Sequence, residues 1–323
     1  MTATTPIDVY TFGEAMLRLS VPPGDRLRTA PAYAVSVGGA ESNIAMALAR
    51  LGRRVAWGSR LPRTELGRRV GETIAATGVD TSAVVWTDDG RLGTYFTELR
   101  AAPAVPMVIY DRAGSAATAL CVDDLDPVAL DSARWVHTTG ITPALSAQCR
   151  AATREAVERV WCRGGRVSVD VNYRARLWSP DEARDTVDEL AKFAALMICS
   201  AEDAGHVFEC FGDPTDVVRR LADRWSCAQV VLTIGANGVV WVDGDAVEAI
   251  DGIPTPHVID RLGAGDALAA GTIHGAIDGD LGSGIRLGVA MATITLGTRG
   301  DAYPGTLAEA ADLIGERARR VDR

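Results

Sequence analysis

The feature that most limits what this chain can become is the alternation of helix-period and strand-period segments through its central and C-terminal parts. Ala152, Ala156, Val157, Val160 and Trp161 recur at helical spacing, Gly164-Gly165 ends that run, and Arg166 to Asn172 alternates as a strand. The pattern continues with a helix from Asp181, a strand over Leu196 to Cys199, a helix over Pro214 to Trp225 and a strand over Gln229 to Ile234. Strands joined by helices of this length pair in parallel, because the crossover returns the chain to the same end of the sheet. The spacing therefore predicts an α/β fold of three layers, with helices on both faces of a mostly parallel sheet. Further helices beginning near Gly263 and Ser283 carry Ala267, Ala269, Ala270, Gly271, Gly275, Gly288, Ala290 and Ala292, which predicts close packing.

Two segments break this rhythm. Residues 16–37 and 93–110 read as short alternating strands, too few for a core of their own. They are expected to pair as a small sheet over the strand ends, where open α/β sheets bind ligands. An exposed edge on such a lid would pair between subunits, so a homo-oligomer through the lid is expected. Met1 to Pro6 and the basic tail after Arg317 are expected to fray.

The most chemically suggestive stretch is Ile259-Asp260-Arg261-Leu262-Gly263-Ala264-Gly265-Asp266-Ala267, read as an apolar strand, a Gly-Ala-Gly turn and a helix opened by an Asp. Glycines let a phosphoryl group approach the backbone, and a helix start offers it unpaired N–H donors. A carboxylate in the same turn can take a proton from an attacking hydroxyl, and its place at a helix start is expected to keep Asp266 ionised near neutral pH. From the turn alone, three readings stay open: a phosphoryl-transfer site, a dinucleotide fingerprint, and an ordinary tight turn. Leu268 at the third glycine position weakens the second.

Composition removes several classes. A net charge of −9 over 323 residues argues against a nucleic-acid face, and no apolar run reaches membrane-spanning length. Lys192 is the sole lysine and lies in a helical segment, which removes a Walker or Schiff-base lysine. His137, His206, His257 and His274 are scattered, so zinc hydrolase readings fall away. Cys121, Cys149, Cys162, Cys199, Cys210 and Cys227 lack metal spacing and are read as reduced, mostly buried thiols of a cytoplasmic protein.

Two more glycine turns fall in line with the first. Val37-Gly38-Gly39-Ala40-Glu41-Ser42-Asn43 precedes a helix read as Ile44 to Leu51, and Thr233-x-Gly235-x-x-Gly238 follows an apolar strand and suits a backbone contact with phosphate or ribose. With these in order, the chain resembles the ribokinase-like (PfkB) sugar kinases over nearly its full length. Gly38-Gly39-Ala40 with Asn43 is similar to that family's first signature. Asp260 to Asp266 is similar to its second, usually Asp-Thr-x-Gly-Ala-Gly-Asp. The resemblance implies one ribokinase-like domain over residues 1–323, with ATP and Mg2+ as cofactors. Asp266 would be the base, and Gly263, Ala264 and Gly265 the anion hole.

Within the family, Thr11 to Leu19, Ile109 to Ala116 and Asp170-Val171-Asn172-Tyr173-Arg174 resemble the kinases of 2-keto-3-deoxy sugar acids. That likeness places Arg112 and Arg174 on the substrate carboxylate, since a forked guanidinium holds a carboxylate bidentately. Gly39, Asn43, Tyr95, Tyr110 and Asp301 would complete the sugar pocket, with Ser200, Thr233, Gly235 and Gly238 toward the nucleotide. Ser200-Ala201-Glu202-Asp203 stands where the family has Asn-x-x-Glu, leaving Asp203 as the metal contact, through water. Arg261 and Leu262 replace the family's threonines, which weakens the case for a monovalent-cation site near Asp260. The expected activity is phosphorylation of the terminal primary hydroxyl of 2-keto-3-deoxygluconate, with a neutral-sugar kinase such as fructokinase or ribokinase as the alternative.

Overall fold

The computed structural model describes residues 6–22, 24–100 and 106–321, with side chains to residue 315. Fraying of residues 1–5 falls outside the described set, whereas the tail after Arg317 continues a helix to Val321. The described residues contain thirteen strands: β1 (Ile7–Phe12), β2 (Met16–Ser20), β3 (Ala34–Gly38), β4 (Val55–Pro62), β5 (Val84–Thr87), β6 (Thr94–Glu98), β7 (Met107–Asp111), β8 (Ala133–Thr139), β9 (Arg166–Asp170), β10 (Leu196–Ser200), β11 (Gln229–Thr233), β12 (Val239–Asp243) and β13 (Ala246–Ile250). Nine of them form one sheet in the order β13-β12-β11-β10-β9-β8-β1-β4-β5, and four form a second in the order β3-β2-β6-β7. Pairing in the large sheet is parallel from β5 to β11 and antiparallel for β12 and β13.

The three-layer α/β expectation is met, and both faces of the large sheet are covered. One core joins Val9, Trp57 and Trp135 to helices Ala40–Arg50, Ala264–Asp278 and Leu281–Leu296; the other joins Val136, Val167 and Met197 to helices Ala147–Cys162, Pro180–Ala191 and Pro214–Trp225. Strands buried on both faces become near-continuous apolar runs, which is why Val167, Val169, Val230 and Val231 are all sealed from solvent. The small residues at the C-terminal helix pair act as expected. A Cβ on Gly271 would stand 2.4 Å from Gly288 Cα, and one on Gly275 2.3 Å from Gly284 Cα, so the two backbones touch where a larger residue would force them apart.

Both interrupting segments build the small sheet, although it is mixed: β2 pairs with β6 in parallel, while β2 with β3 and β6 with β7 are antiparallel. Two local readings are corrected. The first helix starts at Ala40, taking Glu41, Ser42 and Asn43 into its opening turn. Residues 251–262 contain no strand, and Val258 and Ile259 are exposed. Apolar character alone suggested a strand there, but no neighbour offers the ladder that a strand needs.

Candidate active site

Strands β8 to β11 end together at one edge of the large sheet, where register sets Thr139 beside Asp170 and Ser200 beside Thr233. The helix Ala264–Asp278 delivers its first turn to this edge. Its N-cap, Gly263, has φ 81°, the left-handed region that glycine enters without a steric penalty. A Cβ there would also collide with the Asp301 carbonyl oxygen at 1.7 Å, so glycine is required twice over.

With no strand leading into it, the turn is fixed by a buried carboxylate. Asp260 accepts hydrogen bonds from Leu262 N at 3.1 Å and Gly300 N at 3.3 Å, and is 1 % exposed. Its charge is met by Arg18 of β2, equally buried, whose Nη2 lies 2.5 Å from Asp260 Oδ2. The Arg18 Nη1 donates to Asp301, and its Nε donates to Ser20 and Thr97 hydroxyls at 2.8 and 3.1 Å. Asp301 in turn accepts the Tyr95 hydroxyl at 2.5 Å. One guanidinium thus joins the small sheet, the Gly-Ala-Gly turn and the 300–301 loop. Removing one partner from such a buried pair costs about 3–5 kcal/mol, because the charge left behind is unpaired.

Asp266 is buried and accepts one hydrogen bond from Asn43 Nδ2 at 2.7 Å. Burial pushes its carboxyl up to about 7, opposed by the Asn43 amide and the Arg174 charge and reinforced by Asp301 and Glu41. The expectation of a carboxylate fully ionised near neutral pH is therefore corrected: desolvation outweighs the helix start. Asp170 at the end of β9 is pushed up to about 8 by burial and by facing Asp266 and Asp203, with Arg174 pulling the other way. Asp203 is also raised, chiefly by burial, while accepting Tyr173 N at 3.2 Å. Arg174, exposed and held by Asn172 Oδ1 at 2.5 Å, is the cation over these three acids.

Arg112 approaches from the other side, just after β7. It is not free: Nη2 lies 2.5 Å from Glu14 Oε2 and Nε 2.7 Å from the same oxygen, while Ser115 donates to Glu14 Oε1 at 2.5 Å. Its guanidinium also lies 5.5 Å from the Tyr110 ring, which stacks on Tyr95 at the same centroid distance. Glu41 lies between the two regions, since its charge acts on Asp266 and Arg112 acts on it. Its Oε1 accepts from Thr139 and Thr142 at 2.7 Å each, and burial raises its carboxyl.

On the remaining side, Ser200 caps the helix Ala201–Phe208, accepting Asp203 N at 3.0 Å, and Thr233 leads into a single turn over Gly235–Asn237 closed by Gly238 at φ 111°. Five of the residues expected to contact the sugar are already engaged within the protein: Tyr95 with Asp301, Asp301 also with Arg18, Arg112 with Glu14, Asn43 with Asp266 and Arg174 with Asn172. Among the described residues, no group of three or more His, Cys, Asp or Glu could hold a metal alone. A divalent ion here would need oxygens from a phosphorylated ligand as well, as magnesium commonly does.

The model of the pfkB family carbohydrate kinases matches residues 7–307. The chain belongs to that family. It is 36 % identical to the 2-dehydro-3-deoxygalactonokinase of Haloferax volcanii over 91 % of this chain and 92 % of that protein. The 2-dehydro-3-deoxygluconokinase structure from Thermotoga maritima superposes with TM-score 0.89 at 28 % identity, covering 96 % of this chain and 99 % of that one. A putative ribokinase II of E. coli, solved in complex with ATP and Mg2+, has TM-score 0.87 at 19 % identity over 96 % and 99 %, a likeness of fold. The ribokinase-like expectation holds, and the chain is a phosphotransferase acting on an alcohol group.

Sequence reasoning missed Arg18, Glu14, Glu41 and Asp170 as members of this kinase site. Arg18 carried a usable signal, a lone charge in the apolar run Met16-Leu17-Arg18-Leu19. Were Asp266 the base, only its ionised form could take the proton, and kcat/KM would rise with pH through about 7. Asn43→Ala deletes the hydrogen bond that favours the carboxylate and should move that limb to higher pH. Rate profiles of both proteins check this, and an unmoved limb in the variant would separate Asn43 from the base.

Proposed function

We propose that the kinase transfers the γ-phosphoryl group of ATP to the terminal primary hydroxyl of 2-keto-3-deoxygluconate. The observation that carries this reading is the pair Arg112 and Arg174 in a chain of net charge −9: the charge of Arg174 acts on Asp266 itself, and that of Arg112, paired with Glu14, acts on Glu41 beside it. A neutral sugar offers such cations only hydroxyl and carbonyl acceptors, whereas a carboxylate also meets their charge and can take two bonds from one guanidinium. The sugar-acid kinases among its relatives support the same choice.

In this mechanism Arg174 and the free Nη1 end of Arg112 hold the carboxylate, while Asn43 and the backbone at Gly39 meet hydroxyls. Asn43 Oδ1 is the acceptor still without a protein partner. Tyr95 and Tyr110 close over the sugar as a stacked pair on the small sheet, which acts as the lid. Asp266 orients the primary hydroxyl and takes its proton as the new O–P bond forms and the bond to ADP breaks. The N–H groups of Gly263, Ala264 and Gly265 face the charge spreading over the γ-phosphoryl. Ser200, Thr233, Gly235 and Gly238 line the nucleotide side. Asp203, through water, and Asp170 are the oxygens suited to Mg2+, which would neutralise phosphate charge there.

The outer face of the lid carries an apolar row in register, Val35, Leu19, Phe96 and Ile109, with Val35 and Ile109 exposed. A second copy of this chain covering that row is part of the proposal. So is a cytoplasmic setting, which suits six cysteines that are all free, although Cys162 is exposed and only three are buried.

Assays of the purified protein with ATP, Mg2+ and a sugar panel test the activity. 2-Keto-3-deoxygluconate or its galactonate epimer should give the highest kcat/KM, and faster turnover of fructose or ribose would remove the acid-sugar assignment. Asp266→Asn should lower kcat by about 10²- to 10⁴-fold with folding intact. Arg174→Ala should mainly raise KM for the acid. Light scattering should give at least twice the monomer mass, and a charge at Ile109 should reduce it; a monomeric wild type would remove the lid interface.

A further inference from the structure

Asp260 is the residue beside which the family likeness would put a monovalent cation, and its surroundings do not fit one. Its Oδ1 accepts Leu262 N, its Oδ2 accepts Gly300 N and the Arg18 guanidinium, and its side chain has no exposed surface. A second positive charge would meet the Arg18 charge at the same oxygens, with no water to screen it. The cation at this carboxylate belongs to the chain itself.

We propose that Arg18 is a positioning residue that serves as a built-in cation for the Gly-Ala-Gly turn, so that phosphoryl transfer by this enzyme needs no added monovalent cation. The route from Arg18 to the reacting atoms is short and continuous. Arg18 neutralises Asp260, which holds Leu262 N and so sets the entry into Gly263, the residue that starts the helix and begins the anion hole. Arg18 also holds Asp301, whose backbone carbonyl packs against Gly263, and Asp301 takes the Tyr95 hydroxyl from the lid. A soluble ion at Asp260 would reach the turn and the 300–301 loop, whereas Arg18 adds β2 and β6 of the small sheet through Ser20 and Thr97. The lid and the anion hole therefore share one charge. Lysine would not replace it, because a single ammonium cannot present separate N–H edges to two carboxylates and two hydroxyls.

The inference rests on the phosphotransferase reading of this site, and two assays keep them apart. First, wild-type turnover is measured with potassium, sodium or tetramethylammonium as the sole monovalent cation, with Mg2+ constant. Rates within about twofold of each other are expected. A strong potassium requirement overturns the proposal while leaving the kinase intact, and no turnover of any sugar under any cation overturns the kinase reading instead. Second, Arg18→Ala and Arg18→Lys are compared. A misplaced anion hole should lower kcat by about a hundredfold in the alanine variant, with KM for the sugar acid less affected. Millimolar guanidinium or methylguanidinium should recover part of that kcat, and the lysine variant should fall between. A folded alanine variant with wild-type kcat, or with a deficit that guanidinium leaves untouched, would show Arg18 to be only a structural tie and overturn the proposal. If the alanine variant does not fold, the wild-type cation panel and the lysine variant decide the matter.

Discussion

The structure depends on a charge that water never touches. Arg18 lies between Asp260 and Asp301 with all three residues buried, and each carboxylate is further held by backbone or phenol donors. Desolvating three ions is costly, and their mutual attraction offsets that cost only when the hydrogen bonds are complete, as they are here. The arrangement stabilises one relation between elements far apart in sequence. Residues 18, 260 and 301 are drawn from the small sheet, the turn and the loop before the last helix; backbone contacts also tie the turn to the loop, and the Arg18 guanidinium adds the small sheet.

Around that fixed point the site collects more carboxylates than cations. Asp170, Asp203, Asp266 and Glu41 are all raised by burial, and several raise one another. Such a cluster favours protons, or an incoming cation, over bare negative charge. In the proposed mechanism this burial leaves Asp266 poised between its two forms near neutral pH. Arg174, exposed and bonded to Asn172, is the cation whose charge opposes the rise at Asp170 and Asp266, while Arg112 is paired with Glu14.

Much of this was legible in the residues. The alternation from Arg150 to Ile234 predicted six elements within a few residues of their ends and passed over the short helix Ala201–Phe208, because buried parallel strands and their covering helices have different periods. The turn at Gly263 was found because its glycines and Asp266 are local in sequence. What could not be read was partnership over distance. Tyr95, Asp301 and Arg112 were each expected at the sugar pocket, but the Tyr95–Asp301 and Arg112–Glu14 bonds that hold them were not anticipated. Those pairings follow from the small sheet folding over the large one, which no local pattern encodes. The supposed strand before Gly263 failed for the opposite reason: Val258 and Ile259 are apolar but exposed, and the Ile259 N–H goes to the Leu296 carbonyl at a helix end rather than to a strand.

The account is tested most directly by a crystal structure with 2-keto-3-deoxygluconate and a non-hydrolysable ATP analogue bound together. The terminal hydroxyl should lie about 3 Å from the Asp266 carboxylate, the γ-phosphate should rest on the amides of residues 263–265, and the sugar carboxylate should meet Arg174 and Arg112. A γ-phosphate remote from residue 266, or a sugar carboxylate that touches neither arginine, would contradict it.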